Sequence, residues 1–236
     1  TGTLLRIPAW DYWTDSVIVK DRFMLGKTHA VVGVTTGLLV LQPRNMTELV
    51  VGTAGALIGS VISDIDIGTS DSHKEADKII GFTVFTVIAI ILMDSVWHLG
   101  IWQRLLNYTS IRQAAPSVAA FFVICAIGKE QPHRSFMHSF LACGMLTGCV
   151  AVFLPLLAPY FGIAFLSHLA IDVLNKKGER LLFPFRKGFQ LGLCSSKGTV
   201  NRLMFRIGIL VTIGCIAFHL SEIYHLPLIY FSGLQL

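Results

Sequence analysis

Residues 79–97 read IIGFTVFTVIAIILMDSVW, an apolar run with one charged side chain, Asp94. An α-helix needs about 20 such residues to cross the hydrocarbon core of a bilayer. The whole chain has the same character, because 53% of its residues are hydrophobic and 14% are charged, whereas roughly 25% of the residues of a soluble domain are charged. Its mean hydropathy is +0.66. The sequence therefore predicts a protein whose solvent is lipid.

Six further apolar runs flank this one, and together the seven predict an all-α, polytopic membrane protein with about six or seven membrane-embedded helices. By length, residues 79–97, 139–157 and 203–220 are expected to span fully, and the other runs are short. Glycines in the first two runs predict close packing between helices there. The six runs are His29–Leu41, Leu49–Ile62, Ser117–Ile127, Ser139–Leu157, Tyr160–Leu174 and Leu203–Leu220.

The domain organisation expected from this pattern is a single helical membrane domain over residues 24–236. Residues 1–23 mix Trp, Asp and Arg without a helical apolar stripe, and a clean apolar pattern begins at Met24. We therefore expect Met24 to be the natural start, with residues 1–23 outside the native core.

The basic residues are distributed unevenly across the predicted membrane. Counting one crossing for each run places 16 of the 19 Lys and Arg residues on the side where the chain starts, and Arg44, Arg104 and Arg112 on the other. Leaving out residues 1–23 reduces the larger number to 13. The positive-inside rule then makes the starting side cytoplasmic. This orientation accounts for the net charge of +5 without nucleic acid, for which no binding signature is present.

The same count places a set of histidines and aspartates on the cytoplasmic side, where metal ligands could converge. Asp94, His98, His219 and His225 fall on the opposite side and are excluded from the set. Each histidine alone could be a packed or helix-capping residue, but polar groups at membrane depth are costly and usually functional. The candidate metal ligands are His29, Asp64, Asp66, His73, His133, His138, His168 and Asp172.

The spacing within this set favours ligation. His168 and Asp172 are four residues apart, which puts them on one helix face. Ser135 is predicted to cap the fifth helix and to leave His138 in its first turn. Imidazole and carboxylate without thiolate suit zinc, with manganese or iron not excluded, and the number of candidates suggests two ions or more. The five cysteines show neither CxxC spacing nor a disulfide framework.

Arg134 lies between two candidate ligands and could hold phosphate through its bidentate fork. It could equally order lipid headgroups or pair with Glu130. The basic loop from Lys176 to Arg206 carries several Phe and Leu residues, a composition suited to anionic headgroups. A simple orienting loop is the alternative.

These motifs together resemble the YdjM-like family of bacterial membrane-bound, metal-dependent hydrolases. The matching pieces are Gly26-Lys27-Thr28-His29, Asp64-Ile65-Asp66, His133-Arg134-Ser135-Phe136-Met137-His138-Ser139, and Ser167-His168-x-x-x-Asp172 followed by Gly178 and Leu181-Leu182-Phe183-Pro184. The chain departs from the family pattern at Ser63, where proline is usual, at Met137, where threonine is usual, and at Asn175-Lys176, where Thr-Pro is usual. None of these departures removes a candidate ligand.

The resemblance implies a multi-pass protein of the bacterial cytoplasmic (inner) membrane, with its site facing the cytoplasm. The family is distantly similar to zinc-dependent phospholipase C, which implies phosphoester hydrolysis, with membrane lipid as environment and substrate. We expect Asp66 or Asp172 to act as the catalytic base, and Arg134 and Lys27 to bind substrate. A transporter or metal-binding protein without hydrolysis is the alternative, followed by an interaction protein with a structural metal.

Overall fold

The computed structural model describes residues 15–66, 72–101, 103, 111–174, 178–185, 187–193 and 198–225, and within them the side chains of residues 15–25, 72–80, 82–84, 87 and 111 are not described. The described chain is all-helical, as predicted. Its only β-pairing is one isolated antiparallel bridge between Glu179 and Phe189. The helices are α1 (Asp15–Leu41), α2 (Met46–Val61), which continues into a 3-10 helix (Ile62–Asp66), α3 (Ser72–Trp97), α4 (Ile111–Lys129), α5 (Phe140–Phe153), α6 (Ala158–Val173) and α7 (Thr199–Ile223).

Helix α2 lies at the centre of the bundle, between α1 and α6, because its small residues allow close backbone approach. A Cβ added at Gly59 would lie 2.3 Å from the carbonyl oxygen of Phe161, and one at Gly52 would lie 2.6 Å from the Tyr160 ring. On the other face, a Cβ at Gly33 of α1 would meet the Cβ of Ser60 at 2.5 Å. The glycines of α1 thus pack on α2, while those of α2 pack mainly on α6.

The start of α5 differs from the sequence prediction. Ser139 has an extended backbone and accepts a hydrogen bond from the Ala142 backbone N–H, so Ser139 is the N-cap. The Ser135 hydroxyl instead donates to the Pro132 carbonyl. The prediction that Ser135 caps the helix is therefore wrong, and His138 lies in the preceding loop.

The helix lengths also differ from the predicted spans. Helix α5 ends at Phe153, just before Pro155, because proline lacks the N–H that would continue the hydrogen-bond ladder. The expectation that residues 139–157 form one full span is therefore wrong. Two described helices are long and apolar enough to cross a membrane, Met46–Asp66 and Thr199–Ile223. Phe140–Phe153 and Ala158–Val173 are shorter apolar helices, and Gly26–Leu41 and Ile88–Trp97 are the apolar stretches of α1 and α3 whose side chains the structure describes.

Candidate metal centre

Five elements bring polar side chains to one end of the bundle. Helix α1 supplies one histidine from its middle, the 3-10 helix supplies two aspartates, and α6 supplies a histidine and an aspartate from its last turns. The loop before α5 and the loop after α6 complete the cluster. Its members are His29, Asp64, Asp66, His133, Arg134, His138, His168, Asp172 and Glu179.

Three imidazole Nε2 atoms in this cluster lack hydrogen bonds, as does the Nδ1 atom of His29. The Nε2 atoms of His29, His138 and His168 are buried, and none bonds to any residue that the structure describes. All three side chains are 0% exposed. A buried polar atom left without a partner costs on the order of 1–3 kcal/mol, so three together require a partner of another kind.

The same nitrogens face two carboxylates at distances that suit a shared cation. His29 Nε2 lies 3.2 Å from Asp172 Oδ1, and the Nε2 atoms of His138 and His168 each lie 3.6 Å from Asp172 Oδ2. Asp64 Oδ1 is 3.6 Å and 3.7 Å from the latter two nitrogens. Two ligands held about 2.0–2.2 Å from a tetrahedral zinc lie roughly 3.3–3.6 Å apart. Most of these separations exceed hydrogen-bond length and match ligand spacing.

Second contacts orient two of the rings. His168 Nδ1 lies 2.7 Å from the Ser60 carbonyl oxygen, to which it must donate its proton. In the neutral ring, the Nε2 atom of His168 then presents a lone pair to the carboxylates. His138 Nδ1 lies 3.3 Å from Asp66 Oδ2, which fixes its ring in the same sense. Carbonyl or carboxylate partners on the far nitrogen are the usual support of metal-binding histidines.

Ring stacking argues against protons on both His29 and His168. The rings of His29 and His168 are stacked, with centroids 3.8 Å apart and an interplanar angle of 22°. Two imidazolium ions at this separation would repel each other. The stacked arrangement therefore suits two neutral imidazoles that ligate a metal better than two imidazolium ions.

Asp66 and His133 form the rim of the cluster. The two Asp66 oxygens contact His133 Nδ1 at 2.8 Å, the Arg134 backbone N–H at 3.2 Å and His138 Nδ1 at 3.3 Å. The His133 side chain is 37% exposed, in contrast to the buried histidines. Asp66 thereby holds the loop before α5 against the 3-10 helix.

Arg134 reaches the same carboxylates from the loop. Its backbone is left-handed, with a φ of 66°, which is uncommon for a residue other than glycine and clusters at functional sites. In this conformation its backbone N–H donates to Asp66, while its guanidinium donates to Asp172 Oδ2 at 3.3 Å. One guanidinium does not balance the carboxylates of Asp64, Asp66 and Asp172. The cluster therefore fits a divalent metal.

Glu179 belongs to the cluster and was missed by the sequence analysis. Its side chain is 0% exposed, and the carboxylate lies 4.0 Å from the Arg134 guanidinium. Burial, reinforced by the neighbouring Asp172, raises the pKa of the Glu179 carboxyl to about 9. A signal was present, because Glu179 is the sole acidic residue between Lys176 and Arg206.

Most of the candidate ligands named from the sequence lie in this cluster. The exception is His73, whose side chain is outside the described residues, and His133 lies at the exposed rim of the cluster. The candidate catalytic residues Asp66 and Asp172 are both buried and hydrogen-bonded, and their role as base stays a prediction. Lys27 is exposed on α1, two residues before His29, and its substrate-binding role also stays a prediction.

The comparisons with known proteins bear on the resemblance inferred from the motifs. Residues 24–232 match a family described as YdjM inner membrane protein. Searches of curated proteins and of solved structures gave no match. The family match covers most of the chain and all the residues of the cluster, and it confirms the resemblance. The chain belongs to the YdjM family of inner membrane proteins.

Proposed function

We propose that the protein is a membrane-embedded, metal-dependent hydrolase of phosphoesters, with lipid phosphates as its substrate class. The observation that carries the proposal is the set of three buried, unbonded imidazole nitrogens facing Asp64 and Asp172. A donor set of nitrogen and oxygen with no thiolate is typical of hydrolytic metal sites. Zinc fits it best, and manganese or iron is a further candidate.

The residues of the cluster would have different roles in such a site. His29, His138, His168, Asp64 and Asp172 would supply ligands for divalent metal, which would polarise a phosphoryl oxygen and lower the pKa of a water molecule. Arg134 would bind the phosphate, because its guanidinium lies at the edge of the cluster and is 11% exposed. Asp66 would hold His133, His138 and the Arg134 backbone in position.

The loop after α6 supports lipid as the source of the phosphate. Its backbone is tied to the site, since the Arg180 N–H donates to the Arg134 carbonyl at 3.2 Å. The same loop exposes large apolar side chains and the basic Lys187, which lies over the Phe189 ring. Apolar and basic groups side by side favour the headgroup region of a bilayer. The exposed apolar residues are Leu182, Phe185, Leu191 and Leu193.

The multi-pass topology proposed here follows from exposed apolar helix faces. Large apolar side chains of α3, α4 and α7 point away from the bundle, which is costly in water and favourable in lipid. The excess of basic residues on the same side supports a cytoplasmic position for the cluster. The exposed apolar side chains of α3, α4 and α7 include Phe85, Ile91, Val96, Phe122, Ile127, Leu203, Leu210 and Phe218.

The hydrolase proposal is tested with purified, metal-loaded protein on a panel of lipid phosphates and soluble phosphodiesters. Release of phosphate or headgroup is compared for the wild type, Arg134→Ala and His168→Ala. We expect Arg134→Ala to keep its metal and to lose about 2–3 kcal/mol of transition-state binding, roughly 30- to 150-fold in rate. His168→Ala should lose both metal and turnover.

Two results would change the assignment. Metal-loaded wild type that turns over nothing in a broad panel would favour a metal-binding or transport protein over an enzyme. Activity that is equal in wild type and Arg134→Ala would leave the hydrolase standing and remove the phosphate-binding role of Arg134.

The orientation is tested with the native Cys194, which lies in the basic loop outside the described residues. The other four cysteines lie in helices, where Cys125, Cys143 and Cys215 are buried and Cys149 is half-buried. We expect a membrane-impermeant thiol reagent to label Cys194 only after cells are lysed, with Cys194→Ser as the control. Labelling in intact cells would place the site outside.

A further inference from the structure

Glu179 is buried without a partner that explains its burial. Its side chain is fully covered, and within the described part of the chain neither carboxylate oxygen takes part in a hydrogen bond. The nearest guanidinium nitrogen of Arg134 is 4.0 Å from Oε1, beyond hydrogen-bond length. A buried carboxyl group without a hydrogen bond is costly, and a bound cation would supply the missing partner.

The loop backbone fixes where the Glu179 side chain is held. Its N–H and carbonyl pair with Phe189 at 3.0 Å and 2.8 Å, and the next residue donates to the Arg134 carbonyl. These bonds hold Glu179 against the centre of the cluster. There, one ligand atom each from Glu179, His138 and Asp172 lies within 4.8 Å of the others.

The two carboxylate oxygens of Asp172 lie near different histidines, so this side chain could bind two ions. Its Oδ1 lies 3.2 Å from His29 Nε2, whereas its Oδ2 lies 3.6 Å from His138 Nε2. His29, His168 and Asp172 form one group of converging ligand atoms, and His138, Asp172 and Glu179 form another. We propose that Glu179 completes a second divalent-cation subsite with His138 and Asp172, beside the first subsite of His29, His168 and Asp172.

The two subsites differ in their donor atoms. The first has two imidazoles to one carboxylate, which suits zinc, while the second has two carboxylates to one imidazole, which favours a harder ion such as Mn²⁺. The Arg134 guanidinium supplies positive charge beside the second subsite. A cation bound there would add to that charge. This inference rests on the metal site of the proposed function and not on hydrolysis.

The experiment counts Mn²⁺ bound to the full chain, purified in detergent and stripped of metal. Binding is followed by loss of the free-ion electron paramagnetic resonance signal and by elemental analysis, for wild type, Glu179→Gln and Glu222→Gln. Glu222 is exposed on α7 and is the matched control. We expect two equivalents in wild type and control, one in Glu179→Gln, and a spin-coupled spectrum only where two ions share Asp172.

Several outcomes would overturn the second subsite. One equivalent in wild type, or two equivalents in Glu179→Gln, would remove Glu179 from metal binding. A folded Glu179→Gln protein that binds no ion would contradict the assignment of Glu179 to the second subsite only. If Glu179→Gln does not fold, Glu179→Asp decides, since two equivalents with a weakened second ion support the subsite and an unchanged second affinity contradicts it. Absence of hydrolysis would leave each of these counts unaffected.

Discussion

Helices α2 and α7 are both apolar enough to cross a membrane, yet they occupy opposite environments. The most apolar 18-residue stretches of Met46–Asp66 and Thr199–Ile223 have mean hydropathies of 1.5 and 2.0. The protein buries 67% of the first stretch but 17% of the second. The difference follows from residue size, since α2 carries glycines where α6 approaches and α7 carries large side chains such as Leu210 and Phe218. Hydropathy alone therefore does not distinguish a helix buried in protein from one that is exposed on the bundle, whereas small residues mark where another helix approaches.

Polar side chains separate the two helices further. The end of α2 continues into the 3-10 helix that supplies Asp64 and Asp66 to the cluster. The buried histidine of α7, His219, has its Nε2 3.3 Å from the Leu38 carbonyl oxygen of α1. His219 therefore has no buried nitrogen without a hydrogen bond, whereas His29, His138 and His168 each leave Nε2 unbonded within the described part of the chain.

The largest effect is expected from removing one histidine in each region. His168→Ala should reduce bound zinc by at least tenfold, because a ligand and its orienting contact with Ser60 are lost together. His219→Ala should leave zinc unchanged, since it removes only a helix–helix hydrogen bond. Elemental analysis of protein purified without chelator checks both variants. Less than one-tenth of an equivalent of any transition metal in the wild type, with no rebinding, would contradict the metal centre.

A smaller effect is expected from enlarging one glycine in each helix. Gly59→Leu places a side chain where the Phe161 carbonyl stands, so α2 and α6 must separate at a cost of about 3 kcal/mol or more. A Cβ added at Gly214 of α7 meets no atom within 4 Å, so Gly214→Leu should change the free energy of unfolding by less than about 1 kcal/mol. Unfolding in mixed micelles, followed by circular dichroism, measures both. Equal losses would mean that the central position of α2 is wrong.

The smallest effect concerns the contact between α1 and α7. Thr35 and Thr212 share a hydrogen bond of 2.6 Å between their hydroxyl oxygens. Thr212→Val should cost about 0.6 kcal/mol, the average for such bonds between membrane helices. A double-mutant cycle with Thr35→Val isolates the pair. Thr36→Val is the control, because Thr36 bonds to the Val32 carbonyl of its own helix, and a coupling of Thr36 to Thr212 would contradict the assignment.

The helices could be predicted from the sequence because apolar runs report burial in lipid or protein directly. Their ends were harder to predict, since Ser135 and Ser139 are both good caps and only the path of the loop after Pro132 selects the second. Similarly, the run through residues 139–157 is apolar throughout, so its apolarity does not reveal the break before Pro155. Local competition of this kind is decided by tertiary contacts.

The candidate site was predicted in large part because its residues follow from segment order and charged groups are rare in this chain. Glu179 was overlooked because it lies in a basic loop, where one carboxylate resembles an ordinary surface charge. Its burial depends on the pairing of the loop backbone with Phe189 and Arg134, which no periodicity in the sequence encodes. The division of Asp172 between two groups of ligands is likewise a property of the folded chain.

The pairing of His29 with Asp172 also has a consequence for the order in which the protein is made. During synthesis, α1 and α2 emerge first with His29, Asp64 and Asp66, whose partners on α6 do not yet exist. The polar end of these helices must stay hydrated until α6 and its loop arrive, so the cluster can close only late in translation. None of the described α7 side chains joins it, and the metal centre can therefore be complete before the last helix has left the ribosome.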